Sequence, residues 1–161
     1  MLPFKNRFIK ILICTIPLIL VLQSCVTETE CNEALSVSLT VGLKTIKDNK
    51  IETLTVDSLW VNGLNNTNYL LANGKNVSKF DAILKNTQVK TEFLIRFNTL
   101  KDTLTVLYTT NPAYFISLEC GCIATHTIDE VVTTHHFIDS VRIVNRSITQ
   151  QKTEHVQIFH N

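Results

Sequence analysis

Between Ala34 and Lys44 the chain alternates. Leu35, Val37, Leu39, Val41 and Leu43 fall on one side, and Ser36, Ser38, Thr40 and Lys44 fall on the other. A repeat of two residues is the pattern of a strand with one face buried. Asp48-Asn49-Lys50 signals a turn, and Ile51 to Val61 predicts a second strand with Leu54, Val56 and Trp60 in phase. Asn62-Gly63 and Asn65-Asn66 break it, Asn68 to Ala72 predicts a short strand, and Phe80 to Leu84 is compatible with a short edge piece. Gln88 to Asn98 alternates again, with Val89, Thr91, Phe93, Ile95 and Phe97 inward and Lys90, Glu92, Arg96 and Asn98 outward. Asp102 to Thr109 puts Leu104, Val106 and Tyr108 on one face. Tyr114 to Thr127 runs through a cysteine pair, and Phe137 to Val144 and His155 to Phe159 complete the set. The pattern predicts an all-β domain over residues 34–161. Its expected form is an antiparallel β-sandwich of about seven to eight strands, with immunoglobulin-like topology among the variants. No internal repeat of about 20–50 residues is visible, which sets aside propellers and solenoids.

Composition strengthens this picture. Thr, Val and Ile make up 51 of 161 residues, and β-branched side chains favour strands. Charged residues are 18% and apolar residues 45%, the balance of a chain that buries a core. The 15 Lys and Arg nearly cancel the 14 Asp and Glu. With no basic excess to hold a polyphosphate, no nucleic-acid partner is expected.

The first residues read as an address. Lys5, Arg7 and Lys10 precede an uncharged stretch from Ile11 to Leu22. That stretch is shorter than the ~20 residues a membrane-spanning helix needs, and its flanks are those of a secretory signal peptide. Leu22-Gln23-Ser24-Cys25 resembles a bacterial lipobox, which implies a signal peptide over 1–24 and a diacylglycerol anchor on Cys25. A non-lipidated signal would need a small residue where Leu22 stands. Val26 is not the Asp that holds lipoproteins at the inner membrane. The acidic run Thr27-Glu28-Thr29-Glu30 is similar to surface-export signals, though a solvated linker also accounts for it. Residues 25–33 are expected to be a lipidated tether. The lipid-anchored protein is expected at the outer membrane, on its periplasmic face or at the cell surface. Without residues 1–24, 12 basic and 14 acidic side chains remain.

Five cysteines are present. Cys14 leaves with the signal and Cys25 takes the lipid, so Cys31, Cys120 and Cys122 remain in an oxidising compartment. Cys120 and Cys122 would share one face of a strand about 6.6 Å apart, and bonding them would require Gly121 to turn sharply. Cys-Gly-Cys could also serve as a redox pair, and His126 lies at metal-ligand spacing from it. The expected flanks are strand rather than a helix start, and no fourth ligand is placed, so no metal and no cofactor are expected.

Several segments of the second half carry a family resemblance. They are Phe93-Leu94-Ile95-Arg96-Phe97, Asp102 to Tyr108, Ile116-Ser117-Leu118-Glu119-Cys120-Gly121, Ile138 to Ile143 and Val156-Gln157-Ile158-Phe159. Together they resemble an uncharacterised Bacteroidota lipoprotein family. Its members have a lipidated cysteine, an early second cysteine and an Ile-Ser-x-x-Cys-Gly segment. The family has no assigned activity. The resemblance implies a Cys31–Cys120 disulfide, with Cys122 a buried free thiol or a competing partner. Such a bond would close a loop worth about 4–5 kcal/mol in the chain-entropy account. It also implies an outer-membrane β-barrel protein as partner.

The remaining polar residues supply no catalytic constellation. No nucleophile elbow, His-Glu-x-x-His segment, phosphate loop or dinucleotide turn is present. His126, His135, His136, His155 and His160 are expected at the surface. Asp129-Glu130 fits a solvated turn. Trp60, Tyr69, Tyr108 and Tyr114 fit either a core or a sugar-binding face. Asp57-Ser58-Leu59, Asp102-Thr103-Leu104 and Asp139-Ser140-Val141 resemble O-glycosylation acceptors of Bacteroidota envelope proteins, which marks Ser58, Thr103 and Ser140. The leading expectation is a non-catalytic accessory or interaction protein, which calls for an aliphatic patch or an open strand edge. A carbohydrate-binding module would instead need an exposed aromatic platform. A thiol-active envelope protein would need accessible Cys120 and Cys122.

Overall fold

The alternating segment at 102–108 becomes the middle of the largest sheet. Its strand, β8 (Leu100–Thr110), pairs antiparallel with β7 (Lys90–Phe97) on one side and β11 (His126–Thr133) on the other. The sheet continues through β4 (Leu59–Gly63) to β5 (Tyr69–Gly74) beyond β7, and through β13 (Ser147–Ile148) beyond β11. These six strands form a curled antiparallel half-barrel. Phe93 and Ile95 of β7, Leu59 and Val61 of β4 and Leu104, Val106 and Tyr108 of β8 turn their side chains into its concave side.

A second sheet is built on β2 (Ser38–Lys47), which runs parallel to β14 (Val156–Phe159). On its other edge β2 pairs with β6 (Lys79–Ile83) along Ser38–Gly42 and with β3 (Lys50–Thr53) along Lys44–Lys47. The short β12 (Ser140–Ile143) flanks β14. Leu39, Val41, Leu43 and Ile158 of this sheet pack into the same buried cluster as Leu59, Ile95 and Leu104. A third, small sheet has β10 (Gly121–Ala124) between β1 (Ala34–Ser36) and β9 (Tyr114–Ser117).

This computed structural model describes residues 34–117 and 121–161, and it confirms the all-β expectation. Among the described residues fourteen strands in three sheets replace the seven or eight of a two-layer sandwich, and the pairings of β1 with β10 and of β14 with β2 are parallel. The arrangement is not clearly immunoglobulin-like. The signal peptide over 1–24, the lipidation site Cys25, the 25–33 tether, Cys31 and Cys120 lie outside the described residues.

Three departures from the sequence pattern have local causes. Leu35 is in phase with Val37 yet 63% exposed, because the chain leaves the third sheet at Ser36 and enters the second at Ser38. Trp60 was expected in phase with Leu54 and Val56. Ser58 takes a positive φ of 65°, and this turn reverses the phase, so Leu59 and Val61 are buried and Trp60 faces outward. The expected run from Tyr114 to Thr127 divides among β9, β10 and β11, with Gly121 at φ 65° where the pairing register shifts.

Candidate functional site

Strand β9 ends the small sheet. Tyr114, Phe115 and Ile116 follow one another along it and are 49%, 41% and 38% exposed. In register across the sheet, exposed Leu35 and Tyr114 flank buried Ile123, while Phe115 lies opposite Cys122. Side chains of neighbouring strand residues point to opposite faces, so three consecutive apolar residues cannot all turn to one core. A four-residue strand with one partner therefore leaves an apolar edge, and among the described residues no strand pairs with its outer side.

Near the start of β8 a buried carboxylate ties down the turn between β11 and β12. Asp102 is 1% exposed and faces the turn that follows β11. Its carboxylate accepts hydrogen bonds from the Thr134 hydroxyl (2.6 Å) and from the backbone N–H groups of His136 (2.9 Å), Phe137 (2.7 Å) and Ile138 (2.9 Å). His136 Nδ1 is a further partner at 2.9 Å. Burial alone would raise the Asp102 pKa. The bonds from Thr134, Phe137, Ile138 and His136 outweigh it and bring the value down to about 2. His135 holds the same turn, with Nδ1 at 2.8 Å from the Ile138 carbonyl.

Two histidines expected at the surface are buried. His126 packs edge-on against Tyr108 with ring centroids 5.1 Å apart, and its Nδ1 meets the Thr110 hydroxyl at 3.1 Å. His155 Nδ1 accepts the Thr40 N–H at 3.0 Å, and the His155 N–H donates to the Thr40 carbonyl at 2.9 Å. The Nε2 of each ring is buried without a hydrogen bond to any described residue. Burial pushes both below the ordinary imidazole value; for His155 the Ser147 backbone and the Asp81 charge oppose that shift without reversing it. The phase of strand β11 held a signal for His126, which alternates with buried Ile128.

The convex face of β5, β4, β7 and β8 carries a cross-strand row. Tyr69 meets Trp60 edge-on at 4.9 Å, and the Arg96 guanidinium lies 4.4 Å from the centre of the Trp60 ring. Trp60 is directly opposite Arg96, and Arg96 is opposite Lys101. With Asn62 and Leu94 these side chains line a cleft of about 130 Å³. The four aromatics considered for a sugar face thus separate. Trp60 and Tyr69 meet, Tyr108 is buried in the core, and Tyr114 is on β9. A larger open cleft of about 550 Å³ forms where β4 leaves β7, beside Leu64, Lys85, Val89 and Lys90.

Cys122 is buried and disulfide-bonded. Among the three acceptor-like sequences, Ser58 is half-buried in its turn, Thr103 is half-buried on β8, and Ser140 is exposed at the start of β12. Among the described residues no group of three or more His, Cys, Asp or Glu side chains could hold a metal ion, and no helix is long and apolar enough to cross a membrane.

No curated protein and no solved structure matches the chain. The sequence model of a family of unknown function (DUF6452) matches residues 58–160, from the turn at Ser58 to the residue after β14, and the chain belongs to that family.

Proposed function

We propose that this protein is a lipid-anchored, non-catalytic accessory protein of the outer membrane, and that its β-domain docks on an outer-membrane β-barrel through the edge of β9. The observation that carries the docking is the run Tyr114-Phe115-Ile116, exposed on a terminal strand. An open edge offers backbone donors and acceptors for strand addition, and its apolar side chains supply the area to be buried. The anchor rests on the lipobox-like Leu22-Gln23-Ser24-Cys25 and on the resemblance to Bacteroidota lipoproteins. Attachment by one tethered lipid keeps the domain close to a membrane-embedded partner and raises its effective concentration there. Cys122 is bonded, which leaves no free thiol there and sets aside a Cys31–Cys120 pair; a Cys31–Cys122 bond would fasten the tether to the small sheet, and peptide mapping distinguishes it from a Cys120–Cys122 bond.

The test is photo-crosslinking in native membranes from a benzoylphenylalanine placed at Ile116. A single stoichiometric adduct with a β-barrel protein is the expected result. Its absence at Ile116, Phe115 and Tyr114 alike would remove the docking reading. Cys25→Ser should release the protein from the membrane fraction, and retention of that variant would remove the anchor.

A further inference from the structure

Arg96 is held in an unusual way. Its guanidinium stacks on Trp60 at 4.4 Å, its Nε is fully buried, and the group makes no hydrogen bond to any described residue. Neither Arg96 nor Lys101 has a carboxylate partner among the described residues, where the ion pairs are Lys44–Glu154, Lys90–Glu92 and His136–Asp102. A guanidinium carries five donors in a planar fork suited to a carboxylate or phosphate. Here the fork is fixed by an aromatic ring and by its place opposite Trp60 and Lys101, so little freedom remains to be lost when an anion binds. Bracing the sheet would account for the Arg96–Trp60 contact. It does not account for the second unpaired cation beside it or for the exposed Tyr69 ring at the other end of the cleft.

We infer that the cleft formed by Trp60, Asn62, Tyr69, Leu94, Arg96 and Lys101 binds an acidic saccharide. The sugar carboxylate would sit between Arg96 and Lys101, with the apolar face of the ring against Tyr69. No carboxylate side chain lines the cleft, so its charge is complementary to an anion. A volume of about 130 Å³ is far below that of a drug-sized pocket and suits one unit of a chain whose neighbours remain in solvent. All six residues lie within the 58–160 segment matched by the family. The inference is independent of docking through β9, which belongs to a different sheet.

Trp60 is the only tryptophan in the chain, so its emission reports on this cleft alone. The experiment is a fluorescence titration of the full-length protein in neutral detergent with trigalacturonic acid. Its methyl ester and inorganic phosphate serve as comparisons. The expected result is a saturable change in emission with the acid, at least tenfold weaker with the ester and with phosphate. Lys101→Gln, at an exposed position that tolerates the change, should weaken binding several-fold, and Arg96→Gln should weaken it further. No saturable change with the acid would overturn the inference. Equal binding of acid and ester would remove the role of the two cations, and equal binding of phosphate would remove the saccharide; either result overturns it.

Discussion

Strands β8 and β9 are separated by a three-residue turn and treat their apolar residues in opposite ways. β8 spans eleven residues between two partners, and its inward row from Asp102 to Tyr108 is buried throughout. β9 spans four residues, has one partner, and exposes Tyr114, Phe115 and Ile116 in succession. The same residue classes therefore do different work. In β8 they hold the fold together. In β9 they stand exposed on a strand with one partner among the described residues. The comparison predicts that changes along β8 are read as stability and changes along β9 are read as association.

The largest stability effect belongs to Asp102. Asp102→Ala leaves the buried N–H groups of Phe137 and Ile138 without their acceptor and opens the turn after β11. The expected loss is about 3–5 kcal/mol, the range for breaking a buried charged network from one side. Denaturant unfolding measures it, and a loss below about 1 kcal/mol would mean that the node does not hold the turn after β11.

Acid should act next, in two stages. His126 and His155 have lowered folded values, so below about pH 6.5 the unfolded chain takes up protons that the folded chain refuses. Each histidine then removes up to about 1.4 kcal/mol per pH unit until its folded value is reached. Asp102 follows with the same sign at lower pH, because its folded value is also lowered. Its contribution is complete above its ordinary value of 3.8 and is lost as pH falls through about 2. Unfolding midpoints measured from pH 8 to pH 4 should fall below about 6.5 in the wild type and less steeply in His126→Phe. An unchanged slope in that variant would mean that the ring is not a buried neutral imidazole.

The sequence foretold β8 and the body of β7 well, because a strand paired on both sides and buried on one face needs strict alternation; Val89, expected inward, is 76% exposed just before β7 begins. Asp102 itself fell at an in-phase position two residues before Leu104, so its burial was legible. The attraction of the Asp102-Thr103-Leu104 pattern as a modification site pointed elsewhere. Leu35 and Trp60 were misplaced because a period of two says nothing about where a chain changes sheets or reverses phase, and Ser58 does so without a glycine. The Arg96–Trp60–Tyr69 row could be named by residue type but not assembled. Its members come from β7, β4 and β5, and their adjacency depends on strand order rather than on local pattern.

A smaller effect tests β8 from its far end. The Tyr108 hydroxyl accepts the Lys85 N–H at 3.0 Å, donates to the Lys85 carbonyl at 2.8 Å and lies 2.8 Å from the Thr91 hydroxyl. Tyr108→Phe keeps the packing and loses this tie, at an expected cost of about 1–2 kcal/mol. Amide exchange should quicken at Lys85 and the loop after it, which lines the 550 Å³ cleft, while the centre of β8 stays protected. Uniform loss of protection across the sheet would assign Tyr108 to the core alone.

The smallest stability effect should come from β9, and for that reason it separates the two strands most sharply. Phe115→Lys and Ile116→Lys place charge on side chains that already meet solvent, so each should change unfolding free energy by no more than about 0.5 kcal/mol. If the edge is a docking strand, the same substitutions put an ammonium into a surface that must be dry when paired, and capture of the partner should fall by an order of magnitude or more. A control on the polar face of β8, Thr105→Lys, should leave capture unchanged, since its half-buried side chain is remote from the β9 edge in the sheet order. If instead both β9 variants destabilise the domain by several kcal/mol, the apolar run is already covered by another part of this chain. The contrast between the strands would then lie in what covers each, rather than in what each is for.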